Sequence, residues 1–154
     1  MRTLAVAALL LATSTPAIAD IYLLSRNKLE GTDFTAAFFL SHPQMTSLAS
    51  CEQERTAART TGFKLFARLY FGTRKGLNTQ DQLYCVESEQ KFTPFRPNPM
   101  VEFTYLITLN NSRMTVEPMQ SLGTCSAIAG RDSGLAKNRF CAKGTQSLQH
   151  AQTP

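Results

Sequence analysis

The seven residues Met45–Cys51, MTSLASC, are written again at Met119–Cys125 as MQSLGTC. Met, Ser, Leu and Cys match in register. Each phrase is followed by a second cysteine behind an aromatic residue, first at Tyr84-Cys85 and then at Phe140-Cys141. Gln90 and Gln146 each lie five residues beyond that second cysteine. A chain built this way has few folds open to it. It reads as two related units, each closed by its own disulfide.

Local chemistry supplies the elements of the unit. Ser47 and Ser121 suit helix N-caps, where a side-chain oxygen accepts from an orphan backbone N–H. Leu48 and Cys51, like Leu122 and Cys125, then stand three apart on one helix face. QLYCVE alternates as a strand, with Leu83, Cys85 and Glu87 on one face and Tyr84 and Val86 on the other. The matched contexts favour Cys51–Cys85 and Cys125–Cys141 over the two other connectivities. Closing loops of these lengths would stabilise each unit by roughly 3 to 4 kcal/mol in the chain-entropy model.

Upstream of each phrase lies a hairpin pattern. IYLLSRNKL and FTAAFFLS flank the turn EGTD. In VEFTYLITL, Val101, Phe103, Tyr105, Ile107 and Leu109 face one way, with Leu106 the exception on the other face. Asn110-Asn111 suits a tight turn into the return strand SRMTVE. Helices are expected from about Ser47 to Arg59 and from Ser121 to near Gly130. Residues 63–71, FKLFARLYF, fit helix or strand; we lean to helix, because the second unit has no counterpart strand. The fold expected is α+β: two ββαβ-like pseudo-repeats with antiparallel sheet, each stapled from helix to strand.

Residues 1–19 carry one arginine, an apolar run from Leu4 to Ala12 and Ala17-Ile18-Ala19. This is the layout of a cleavable leader, cut between Ala19 and Asp20, and its apolar run is too short to span a bilayer. The first unit then covers 20–92, a proline-rich connector 93–100, the second unit 101–147 and a frayed tail 148–154. Paired cysteines agree with a periplasmic or secreted protein. No later segment is apolar enough to span a membrane.

The chemistry expected is sparse. The net charge of +5 favours acidic partners weakly. His42 sits in a turn and His150 in the tail, so neither is placed as a catalytic base. Cys51, Cys85, Cys125 and Cys141 are widely spaced, without the close ligand pairs of a zinc site. No glycine-rich phosphate loop is present. We therefore expect no catalytic, metal or cofactor site. Arg55, Arg59, Lys64, Arg68, Arg74 and Lys75 form a basic run interleaved with Phe66, Tyr70 and Phe71. That run is the candidate binding patch, for an acidic protein or an anionic polymer. Export argues against nucleic acid. The function expected is a non-enzymatic exported binding protein. One alternative is a periplasmic inhibitor or immunity protein capping a cell-wall hydrolase or toxin. Another is a carboxylate-dependent hydrolase using Glu87 and Glu89, two apart on a strand.

Overall fold

The computed structural model describes residues 19–66, 79–96, 101–130 and 138–149. Its elements are β1 (Asp20–Leu29), β2 (Thr35–Leu40), α1 (Leu48–Thr60), β3 (Thr79–Ser88), β4 (Lys91–Phe92), β5 (Phe103–Asn110), β6 (Arg113–Met119), α2 (Leu122–Ala129), β7 (Arg139–Gly144) and β8 (Leu148–Gln149). The order strand, strand, helix, strand, short strand occurs twice. Leu148 and Gln149, expected in the tail, form β8. Residues 1–18 and 150–154 lie outside the described part.

Both helices start where the repeated phrase places them. Ser47 and Ser121 are extended, and their hydroxyls accept from the N–H of Ser50 and Thr124. Ser50 Oγ also accepts from the Ser47 N–H, completing a capping box. Cys51 and Cys125 reach inward at the fourth helical position and are fully buried. The disulfides are Cys51–Cys85 and Cys125–Cys141, with Cα separations of 5.7 and 5.9 Å. Gly62, in the left-handed region, follows α1. Residues 63–66, the described start of the stretch read as a helix, are not helical. Phe63, Leu65 and Phe66 instead turn back onto the cluster beneath α1. Residues 67–71 of that stretch lie outside the described part.

Within each half the middle strand is the first one. β1 pairs antiparallel with β2 and β3, and β5 pairs antiparallel with β6 and β7. The β5–β6 turn places Asn111 at positive φ. That left-handed position is one asparagine tolerates. The sheets do not stay open, which corrects the plain antiparallel sheet expected from the sequence. They close into one six-stranded barrel, β1-β2-β7-β5-β6-β3. The two closing contacts are parallel, Ala36 against Lys143 and Glu87 against Arg113. The reason is directional. β1 and β5 run one way and the four flanking strands the other, so the free edges of the two halves can meet only in parallel. Closure also removes the open edges that a three-stranded sheet exposes.

Side chains fill the barrel, as expected for a barrel of this size. Tyr22, Leu24, Ala37, Phe39 and Val86 of the first half pack with Tyr105, Ile107, Met114, Val116 and Phe140 of the second in one core. Leu106 is the sequence exception because it points outward yet is fully buried. It sits opposite Cys141 in the β5–β7 register, on the face stapled to α2. Outside β1, β2 and β3, α1 covers a second cluster of Leu23, Leu40, Met45, Cys51 and Phe66.

Corresponding residues in the halves make corresponding contacts. Tyr22 Oη donates to the Gln90 carbonyl at 3.2 Å, and Tyr105 Oη to the Gln146 carbonyl at 2.6 Å. The Cys51 sulfur lies 3.7 Å from the Tyr22 carbonyl oxygen, and the Cys125 sulfur 3.5 Å from that of Tyr105. Each glutamine amide reaches across the seam to one residue of the other half. Gln90 accepts from the Val116 N–H at 2.6 Å and donates to its carbonyl at 2.7 Å. Gln146 accepts from the Phe39 N–H at 2.7 Å and donates to its carbonyl at 2.8 Å. A side-chain amide thus replaces the backbone pairing that the parallel seams lack. β4 and β8 pair antiparallel beside the seams, with Phe92 opposite Leu148.

The two buried tyrosines make stability depend on alkaline pH. Burial is the main cause that pushes both phenols up to about 12, with the Asp20 charge adding to the effect at Tyr22. In the unfolded chain a phenol ionises near pH 10. A raised folded value means that native protein holds protons the unfolded chain gives up. The stabilisation is therefore whole below about pH 10 and is lost as pH rises towards about 12. We expect the tyrosines' contribution to the denaturant midpoint to hold from about pH 7 to 9 and to be lost steeply above about pH 10. Replacing Tyr22 and Tyr105 together by Phe should flatten that fall; an unchanged slope would show that other groups cause it.

Candidate functional site

The basic run is the first place to build a site. α1 turns Cys51, Glu54 and Ala57 inward, a three-residue spacing that leaves Glu52, Arg55, Thr56 and Arg59 toward solvent. Arg55 is not free, because its guanidinium pairs with Glu52 at 2.6 Å. Such an exposed pair adds about 0–1 kcal/mol to stability, but it cancels one positive charge locally. Arg59 is exposed in the last turn, where the helix dipole favours a cation. Lys64 is exposed just beyond the helix. Among the described residues no carboxylate pairs with Arg59 or Lys64. Arg68, Arg74 and Lys75 lie outside the described part.

Lys64 and Gln53 border two hollows. One is an open groove of about 550 Å³, bounded by Glu52, Gln53, Thr56, Thr60 and Lys64 among others. The other is a smaller hollow of about 180 Å³ between Gln44, Ser50, Gln53, Glu54 and Lys64. Glu54 lines the smaller of the two. It is only 3 % exposed, and its Oε1 accepts from the Leu65 N–H at 2.8 Å, holding residues 63–66 against the helix. A signal for this residue was present in the sequence, since Glu54 lies three beyond Cys51 on the inward stripe.

The carboxylate pair comes together in a different place. Glu87, at the end of β3, and Glu89, in the bend after it, line one cleft of about 280 Å³. Arg113 of β6, Ser88, Gln90 and Ala19 share that cleft. It lies on the β3–β6 seam, where the Glu87 N–H donates to the Ser112 carbonyl. The cleft therefore brings the start of β1 near two acids and one guanidinium.

His42 and Arg26 make contacts within the fold. His42 Nδ1 accepts from the Gln44 N–H at 3.2 Å, and its ring stands edge-on to Phe66. His150 lies outside the described part. Arg26 stacks its guanidinium 4.2 Å over the Phe140 ring and donates to Gln82, tying one end of the barrel. Stacking of this kind draws on the ring quadrupole. Among the described residues no three His, Cys, Asp or Glu side chains are placed to hold a metal ion. No helix among them is long and apolar enough to cross a membrane.

The chain matches no family model, no curated protein and no solved structure. What the site can do therefore follows from its own geometry. At the tip of the first hairpin, Phe34 is 36 % exposed. Its N–H donates to Thr32 Oγ1, and its carbonyl accepts from the Leu29 N–H, so the turn holds the ring outward. No sequence signal separated Phe34 from the core phenylalanines around it.

Proposed function

We propose that this chain is an exported, non-enzymatic binding protein whose α1 face engages an acidic protein or an anionic polymer. One observation carries the reading. The two helices hold equivalent places on the barrel, yet α2, LGTCSAIA, has no charged residue, while α1 presents Arg59 in its last turn and is followed by Lys64, which lines an open groove. A scaffold needs both helices to cover its sheets; it does not need cations on one. The two disulfides support an oxidising compartment. The leader-like segment 1–19 supports export, with the cut at Ala19–Asp20. The repeated element order and the twin glutamine contacts support an ancestral duplication, after which the first half acquired its own surface.

The test is salt-dependent retention on a sulfated-polysaccharide resin at low ionic strength. The parent protein should be retained, and Arg59→Ala with Lys64→Ala should bind about tenfold more weakly, roughly 1.4 kcal/mol. Arg55→Ala should change little, because Glu52 already balances it. Equal elution of parent and double variant would sink the reading.

Phe34 favours a second reading. An outward aromatic on a hydrogen-bonded turn is the kind of anchor that protein interfaces use. It suits an inhibitor or immunity protein that caps a cell-wall hydrolase or toxin. A tight 1:1 complex recovered from periplasm, and lost in Phe34→Ser, would favour this over the polymer.

A further inference from the structure

The cleft on the β3–β6 seam sits where the proposed leader would be cut. Ala19 is one of its walls, and Asp20, the next residue, is the first of β1. Asp20 stands opposite Ser88, and Ile21 opposite Glu87. The nitrogen of Asp20 is bonded to the carbonyl carbon of Ala19, so it lies at the cleft. While Ala19 is attached, that nitrogen is a neutral amide. The charged groups that line the cleft are then Glu87 and Glu89 from β3 and its bend and Arg113 from β6; the Asp20 side chain, on the same residue as the nitrogen, lies near Tyr22. Two carboxylates thus share the cleft with one guanidinium. Tyr22 of β1 is the nearby phenol, and it feels the Asp20 charge. Lys91 of β4 does not line the cleft.

We infer that this cleft is a receiving site for the mature N-terminus, in which the α-ammonium of Asp20 pairs with Glu87 and Glu89. The inference rests on the export reading, which supplies the cut. A processing peptidase adds water to the Ala19 carbonyl. The carbon–nitrogen bond breaks, the leader leaves as a carboxylate, and the Asp20 nitrogen takes up protons to become an ammonium. The cleft then gains the cation that its carboxylates lack, beside a seam held by one parallel bridge and the Gln90 amide. Cleavage thus strengthens the closure of the barrel, and the precursor, without that charge, closes less firmly. An exported chain benefits from this order, because it must stay unfolded until it has crossed the membrane.

The sign of the pH effect follows from the chemistry. An α-amino group titrates at roughly 7.7–8.0 in an unfolded chain. Carboxylate neighbours hold the proton more tightly, so the folded value lies higher. The stabilisation is present below about pH 8 and is lost as pH rises through the folded value.

The experiment uses the exported protein. Its N-terminus is mapped by mass, and the Asp20 Cα carbon shift is followed from mildly acidic to strongly alkaline pH alongside thermal unfolding. We expect a start at Asp20, an ammonium midpoint raised by about one unit (a tenfold shift in proton affinity), and a melting temperature that falls across the same window. Glu87→Gln with Glu89→Gln should return the midpoint to the ordinary value. A Gly-Ser extension before Asp20 moves the charge out of the cleft without touching the barrel, and should remove that pH-dependent fall. A start elsewhere would overturn the export reading and this inference together. A start at Asp20 with an ordinary midpoint, or with the same pH slope in the extended protein, would overturn the ion pair alone.

Discussion

Replacing Cys51 and Cys85 together by alanine lowers the unfolding free energy by about 4 kcal/mol, and replacing Cys125 and Cys141 lowers it by about 3 kcal/mol. The difference comes from the sequence separation that each bond closes, 34 against 16. In the chain-entropy model the longer loop restrains the unfolded state more. Alanine is the right probe because Cys51 and Cys125 are fully buried, and serine would add an unpaired hydroxyl. The consequences in the folded state run the other way. α2 is too short to persist without tertiary support, and its link to β7 supplies that support. α1 is longer, and it has a capping box and the Glu54 contact besides its disulfide. So the Cys125–Cys141 variant should lose more helical signal for less free energy. Both losses are large against the roughly 5–15 kcal/mol typical of a domain, so full reduction should unfold the protein. Denaturant titration with far-ultraviolet dichroism measures both quantities. Equal losses of helix in the two variants would contradict this account of α2.

The elements that could be read from the sequence are those whose signals are local. Ser47 and Ser121 cap helices because a cap needs only its own next turn. Val101 to Leu109 alternate because each side chain meets either the barrel interior or the outside. The disulfide pairing followed from matched contexts, which is also local information. Barrel closure was not legible. It depends on two parallel contacts, Ala36 with Lys143 and Glu87 with Arg113, whose partners are remote in the chain. A single bridge pair leaves no periodic trace.

The site divides in the same way. Arg59 and Lys64 are legible as basic residues, but the ion pair that neutralises Arg55 depends on a side-chain choice that the spacing of Glu52, one helical turn away, permits without requiring. Phe34 looked like one more apolar strand residue; its exposure depends on the turn that ends the barrel there. Glu87 and Glu89 stand two apart in the sequence and share a cleft, although β3 ends at Ser88 and Glu89 lies in the bend after it. The nearness of Asp20 to that cleft follows from the pairing of β1 with β3, two strands separated in sequence by β2 and α1. Gln90 and Gln146 were recognisable as equivalent positions. Their work was not, because the backbone each one pairs with belongs to the other half.

Gln146→Ala should be among the most damaging substitutions of a polar residue. Gln146 is 2 % exposed, and its amide serves the Phe39 N–H, the Phe39 carbonyl and the Thr93 carbonyl at 2.7, 2.8 and 2.9 Å. Truncation strands groups that water reaches poorly, and each such group costs about 1–3 kcal/mol. We expect a total loss of about 3–5 kcal/mol by denaturant titration. Gln90 makes the same two contacts to Val116, but it is half-buried, and water can replace its amide. Gln90→Ala should therefore cost only about 1–2 kcal/mol. Gln146→Glu separates amide chemistry from packing, since it keeps the shape and, when ionised, removes both donated bonds. Its carboxylate would face two carbonyl oxygens, so the folded state favours the protonated form. That raises the folded value above the unfolded one, and the variant should be most stable at acid pH and weaken as pH rises through the carboxyl range. Hydrogen exchange at the Phe39 amide should accelerate in Gln146→Ala, while the Val116 amide stays protected. Equal costs at Gln90 and Gln146, or an unprotected Val116 in Gln146→Ala, would mean that the two seams open as one and that the amides do not hold them separately.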